Sequence, residues 1–162
     1  MIIMYNPKDL RILVELRNDA RAQLTTISKK TGIPISTIYD RLKNKSNGLI
    51  FKNVSLIDFE SIGFNTRANI CIKCSKTSKD KVREFLAKHQ NVNSLFKINN
   101  GYDFLAEVIF KNVRDLEEFI ETIEDKFIIK SKQVFYIIDN IIRESFFSDP
   151  LHLELLNSKS RF

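Results

Sequence analysis

The side chains best suited to chemistry lie close together in the first third of the chain. Ser36, Thr37, Tyr39 and Asp40 are compact hydrogen-bonding groups, and the cations Arg41, Lys43, Lys45 and Lys52 follow them. Hydroxyls and carboxylates presented in this way can read the donor and acceptor edges of base pairs in a major groove. Cations on either side of such a reader hold phosphates and fix its register. Charge partition agrees with that chemistry. Residues 1–53 hold 10 Lys/Arg against 4 Asp/Glu, and residues 54–162 hold 16 of each, so the whole net charge of +6 lies in the first segment. A basic segment joined to a neutral one implies a polyanion-binding part and a part with another task.

Other constellations are set aside. Cys71 and Cys74 stand three apart in a segment of period two, so they point to opposite faces and form neither a redox pair nor a shared ligand set. His89 and His152 are isolated, the 4 glycines are scattered, and no nucleophile motif occurs. No catalytic residue, metal or cofactor is expected, and the chain is not expected to be an enzyme. The acidic run Glu117, Glu118, Glu121, Glu124 and Asp125 reads as the solvated face of a helix. No apolar run reaches the ~18–20 residues of a membrane span, and the N-terminus lacks a signal-peptide pattern. No membrane association and a cytoplasmic location are expected.

Three helices must position the first group. Asn6-Pro7 is a cap followed by a proline at a first helical position. Leu10, Leu13, Val14 and the stem of Arg17 then form one inward face to about Asn18. A second helix covers Leu24 to Thr31 with Leu24, Ile27 and Ser28 inward, and Gly32 ends it. Ile33-Pro34 opens a third, with Ile38, Leu42 and the stem of Lys45 buried. Leu49 to Val54 is expected to form a strand or wing beside it. Period and charge alone fit a basic helical bundle as well as a helix-turn-helix. The short polar side chains at the start of the third helix and the bases flanking it, Lys29 and Lys30 included, favour DNA.

The remainder alternates. Residues 67–75 have period two, with Ala68, Ile70, Ile72 and Cys74 on one face. Ser78 to His89 is helical through Val82, Phe85 and Leu86. Strands at 92–98 and 102–110 flank the turn Asn99-Asn100-Gly101. A helix over 112–127 buries Leu116, Phe119, Ile120 and Ile123, and a last strand covers 132–142. Strand, helix, strand, strand, helix, strand is the ferredoxin-like order. The fold class is therefore α+β: an N-terminal (winged) helix-turn-helix followed by a βαββαβ domain. The last strand is apolar on both faces, through Val134, Tyr136 and Ile138 and through Phe135, Ile137 and Ile141. Two helices cover one face of a four-stranded sheet, so a homodimer through the sheet is expected.

These residues resemble the Lrp/AsnC family of bacterial and archaeal transcription regulators. Residues 21–42, RAQLTTISKKTGIPISTIYDRL, match its helix-turn-helix pattern without a gap at Arg21, Ile27, Gly32, Ile33, Ser36, Thr37, Ile38 and Arg41. IDFESIGF (57–64) resembles the family's linker and NNGYDFLAEV (99–108) its hairpin motif. The chain departs from the pattern at Pro34, where the family usually has Ser, and over Asn44 to Gly48, which is shorter. The resemblance spans about residues 6–143.

It implies a DNA-binding domain at 1–53, a linker at 54–65, a dimerisation and effector-binding domain at 66–145 and a tail at 146–162. It also implies double-stranded DNA as a partner, assembly as a dimer with four or eight subunits as further assemblies, and a small effector such as an amino acid. That effector would meet Asn99, Asn100, Gly101, Tyr102 and Asp103. Gly101 permits close backbone approach, Asp103 can pair with an ammonium, and exposed N–H groups can take a carboxylate. On the residues alone, a turn made by Gly101 and capped by Asp103 explains them equally. Two other functions fit the same architecture. One is an enzyme resembling siroheme decarboxylases. The other is a non-specific protein that coats DNA.

Overall fold

The computed structural model describes residues 6–44, 50 and 52–157. The chain forms two compact units, one from residues 1–55 with 141–162 and one from residues 56–140.

The first unit opens with α1 (Pro7–Asn18), α2 (Leu24–Thr31) and α3 (Ile35–Lys43). Asn6 caps α1 through its side chain, which accepts the Lys8 N–H at 2.9 Å. Gly32 ends α2 in the left-handed region, φ 71°, where a side chain would be strained. Ile12, Ile27, Ile33 and Ile38 form the core, flanked by Leu16, Ala22, Leu24 and Leu42. Each fully buried isoleucine contributes about 1.5–3 kcal/mol, so this small core depends on a handful of side chains. The inward face of α1 differs from expectation. Asp9, Ile12 and Val14 are buried, whereas Leu10, Leu13 and Arg17 are only half-buried. The stripe is turned because an acid, Asp9, sits on it and is neutralised there by a cation from α3.

The expected wing is also revised. Leu49 and Phe51 lie outside the described residues, and neither Ile50 nor residues 52–57 belong to a strand. Lys52, Val54, Leu56 and Ile57 are exposed.

The C-terminal segment belongs to this unit. Arg17 donates from Nε to the Phe146 carbonyl at 3.1 Å and from Nη2 to the Glu144 carbonyl at 2.6 Å. Its guanidinium also pairs with the Glu144 carboxylate at 3.2 Å. Phe146 and Phe147 gather about His152 at the start of the short helix α6 (His152–Asn157).

The second unit begins with a 3₁₀ turn at Glu60–Ile62 and continues as β1 (Thr66–Cys74), α4 (Lys79–Lys88), β2 (Val92–Lys97), β3 (Phe104–Phe110), α5 (Val113–Lys126) and β4 (Ile129–Tyr136). The sheet order is β2-β3-β1-β4 and every pairing is antiparallel. That is the ferredoxin-like arrangement. Ala68, Ile70, Ile72 and Cys74 of β1 face Val82 and Leu86 of α4 and Leu116, Phe119, Ile120 and Ile123 of α5 across one core. Asn112 caps α5 by accepting the Asp115 N–H.

The last strand is displaced from the expected 132–142. It starts at Ile129 and ends at Tyr136, where its ladder with β1 closes: Ala68 faces Tyr136, and the Ile137 N–H finds the Arg67 carbonyl at 2.8 Å. Ile138 and Ile141 are 93% and 94% exposed despite their β-branched side chains.

Candidate functional site

The helix that should face DNA is held from beneath. Ile33 and Ile38 anchor it in the core. The Thr31 hydroxyl donates to the Ile27 carbonyl at 2.7 Å and accepts the Ile33 N–H at 3.3 Å, so the turn between α2 and α3 is fixed on both sides of Gly32. What remains outside α3 is one continuous face. Ile35, Ser36, Tyr39, Asp40 and Lys43 are exposed, and Thr37 is half-buried at its margin. Lys52 is exposed as well, and Lys45 lies outside the described residues.

Arg41 is placed differently from expectation. Its Nη1 lies 2.6 Å from the Asp9 Oδ1, with Asp9 only 2% exposed, and its Nε is buried. A guanidinium held inward against a buried carboxylate is an internal tie between α1 and α3 rather than a hand for a phosphate. Lys30 is likewise engaged, 2.8 Å from Glu15. Asp9 is a structural residue that the helical pattern of α1 alone does not single out. Its spacing of three from Ile12 was the available signal.

The effector motif sits on the β2–β3 hairpin. Asn100 and Gly101 both have positive φ, 57° and 93°, the pairing that a tight hairpin turn between twisted strands demands. Asn99, Asn100 and Gly101 are exposed and Tyr102 is half-buried. Asp103 is not available in the same way. Its side chain is buried, its Oδ2 accepts the Cys74 N–H at 3.0 Å, and its Oδ1 lies 2.6 Å from the Lys79 Nζ and 3.6 Å from the Lys73 Nζ. The hydrogen bond from Lys79 outweighs burial and, with the Cys74 amide, holds this carboxyl below its ordinary 3.8. The expected partner for an ammonium is thus already paired, and the cation responsible, Lys79, was not anticipated.

A second polar group also went unforeseen. On the sheet face turned away from α4 and α5, Arg67 bonds Glu107 from Nε at 2.7 Å and also reaches Asn140. Asn93 and Ser94 bond the other oxygen of Glu107, at 2.6 and 2.8 Å. Burial pushes the Glu107 carboxyl up, but these hydrogen bonds outweigh it and the net position is below the ordinary value. Phe96 and Phe135, on the two edge strands, are 54% and 52% exposed. Cys71 is buried among the β1 neighbours and Cys74 lies in the helix-covered core, so the two thiols are apart and free.

The comparisons with known proteins fall on these two units. A winged helix-turn-helix DNA-binding model matches residues 5–44, and a model of the Lrp/AsnC ligand binding domain matches residues 67–145. The HTH-type transcriptional regulator FL11 of Pyrococcus horikoshii is 32% identical over 116 residues, which span 71% of this chain and 77% of that protein. The chain belongs to the Lrp/AsnC family. It is a DNA-binding transcription regulator of that type with a ligand-binding domain.

Solved Lrp/AsnC structures share its fold. A transcriptional regulator of Neisseria meningitidis, crystallised with L-Met, superposes with a TM-score of 0.81 at 19% identity, covering 93% of this chain and 99% of that one. Escherichia coli AsnC gives 0.74 at 21% identity, covering 86% and 96%. Among the described residues of this Lrp/AsnC regulator, no helix is long and apolar enough to cross a membrane.

Proposed function

We propose that this regulator reads double-stranded DNA with the outer face of α3, works as a homodimer joined through the open face of its sheet, and answers to a small effector. The observation that carries the DNA interface is the disposition of charge. The first unit contains 13 Lys/Arg against 7 Asp/Glu, and two of its acids, Asp9 and Glu15, are paired internally. Its excess positive charge therefore faces outward with Ser36, Tyr39 and Asp40. Ser36, Thr37, Tyr39 and Asp40 meet base edges, while Lys43, Lys45 and Lys52 meet phosphates. Arg41 supports the surface from within.

Dimerisation is supported by the rim of half-exposed Phe96 and Phe135 around the Glu107–Arg67 group. A second copy would cover that apolar area, and further association into four or eight subunits is compatible with it. A dimer sets two half-sites about one helical turn, or a multiple of it, apart. The effector, an amphoteric molecule such as an amino acid, meets the exposed backbone at Asn99, Asn100, Gly101 and Tyr102, with Asp103 as the pre-neutralised base of the site.

The test is selection of bound fragments from a labelled genomic library at two salt concentrations. A few enriched fragments sharing a dyad are expected. Log affinity should fall with log salt by ~0.9 per phosphate contacted. Uniform retention of all fragments would mean a coating protein, and no retention at either salt would sink the DNA interface. Sedimentation should give a dimer or larger for the intact chain and smaller species for Phe135→Glu. Calorimetric titration with individual amino acids tests the effector, with Gly101→Val as the variant that should lose it.

A further inference from the structure

The outer face of α3 carries two rows of side chains rather than one. Ile35, Tyr39 and Lys43 follow each other at intervals of four, and Ser36 and Asp40 form a parallel row beside them. The second row is polar. The first row begins with an isoleucine that is 44% exposed and a tyrosine that is 56% exposed, whereas Ile38, three positions on from Ile35, is fully buried. Ile35 does little for α3 itself. A β-branched residue is a weaker helix former than Lys or Glu. The first turn of a helix favours an acid, and this first turn has none. Pro34, at the cap, supplies no side-chain hydrogen bond either. Ile35 therefore sits at the edge of the outward face beside the buried Ile38, in the first turn of the helix, and helix formation alone does not call for its type.

We infer that Ile35, with Tyr39 one turn on, selects thymine by packing on its C5-methyl group in the major groove. The inference rests on the DNA interface proposed above and adds a base preference to it. Charge favours this occupant over another protein: the apolar row ends in Lys43 and lies in the unit with the excess of Lys/Arg, with Asp40 as the one acid of α3. Among the bases, only thymine offers an apolar group on the major-groove edge. The polar row beside it, Ser36 and Asp40, is suited to neighbouring donors and acceptors, Asp40 to the amino group of cytosine. The expected half-site thus contains at least one thymine whose methyl group, not its hydrogen-bonding edge, is read. Burying one methyl group corresponds to about a fourfold gain in affinity.

The experiment uses the full chain and a random duplex library. Duplexes retained by the wild-type protein are resynthesised with each thymine replaced in turn by uracil, which removes the methyl and keeps the hydrogen-bonding groups. One or two positions in each half-site should lose about fourfold in affinity on that change. Ile35→Ser should bind the same duplexes more weakly and lose the difference between thymine and uracil at one of those positions, whereas Ile35→Val should keep it. If uracil costs nothing anywhere while Lys43→Ala still weakens binding, the methyl contact is wrong and the DNA interface stands. If uracil sensitivity persists unchanged in Ile35→Ser and in Tyr39→Ser, the methyl is read by other residues and the inference fails. If the library yields no retained duplex, the DNA interface itself falls and the inference with it.

Discussion

The two units each bury an aspartate against a cation, but the pairs do different work. Asp9 of α1 meets Arg41 of α3, 32 residues away, and ties together two helices whose shared core is four isoleucines. Asp103 meets Lys79 and the Cys74 amide inside a sheet whose core is more than three times as large. In the helical unit the pair links the first helix to the third. In the sheet unit it fixes where a hairpin begins. The contrast shows that a charged residue near a functional motif is not thereby a functional residue: a small core often has to recruit charged side chains for its own assembly.

The sharpest way to break the comparison is to remove the two acids in turn. Asp9→Ala leaves the Arg41 guanidinium confined without its partner and should destabilise the helical unit by about 3–5 kcal/mol, the cost of stranding one half of a buried pair. Chemical denaturation followed separately in the two units should show the helical transition moving and the sheet transition staying. Restoration by the double change Asp9→Leu with Arg41→Met would show that the pair itself, and not Asp9 alone, is responsible.

Asp103→Asn should cost less, about 1–3 kcal/mol, because the amide can still accept the Cys74 N–H. This pair also has a pH signature. The folded carboxyl lies below its ordinary 3.8, so its contribution is complete above that value and is lost as pH falls below it toward the folded value. Urea midpoints between pH 2.5 and 6 should decline more steeply on the acid side for the wild type than for Asp103→Asn. Equal slopes would show that Asp103 carries no such stability.

Local features were legible in the sequence. The four inward residues of α5, the Asn6 cap, the helix ending at Gly32 and the Asn100-Gly101 turn each follow from residues a few positions apart. The misplacements have a common cause. Arg41 with Asp9, and Asp103 with Lys79, are pairings over 32 and 24 residues that periodicity cannot register. An arginine stem is also apolar enough to lie inward, so type alone does not say which way it turns. The end of β4 fails for a related reason. Ile137, Ile138 and Ile141 have the composition of a strand, but where pairing stops is decided by the ladder with β1, far away in the chain.

A smaller effect tests the sheet unit alone. The His89 ring lies 4.5 Å from the Phe119 centroid and 5.5 Å from that of Phe85, and its Nδ1 accepts the Asn91 N–H. Burial, and then the charge on Lys126, hold it below its ordinary 6.5. The unfolded chain therefore takes up a proton first on acidification. Stability should be unaffected above about pH 6.5 and decline below it, and His89→Phe should flatten that limb. A midpoint that rises on acidification through this range would reverse the assignment.

Lys43 is exposed on α3, two positions beyond Arg41, with the same charge and, among the described residues, no ion pair like that of Arg41 with Asp9. Lys43→Ala should leave the melting of the helical unit within about 0.5 kcal/mol. It should flatten the log–log salt dependence of DNA binding by ~0.9, one phosphate contact. Arg41→Ala should do the reverse on the part of the protein that remains folded, destabilising the unit and leaving the slope intact. If the two substitutions exchanged these effects, Arg41 would be the residue that reaches DNA and Lys43 the structural one. The division of the basic residues into an inner set that builds the surface and an outer set that uses it would then have to be redrawn.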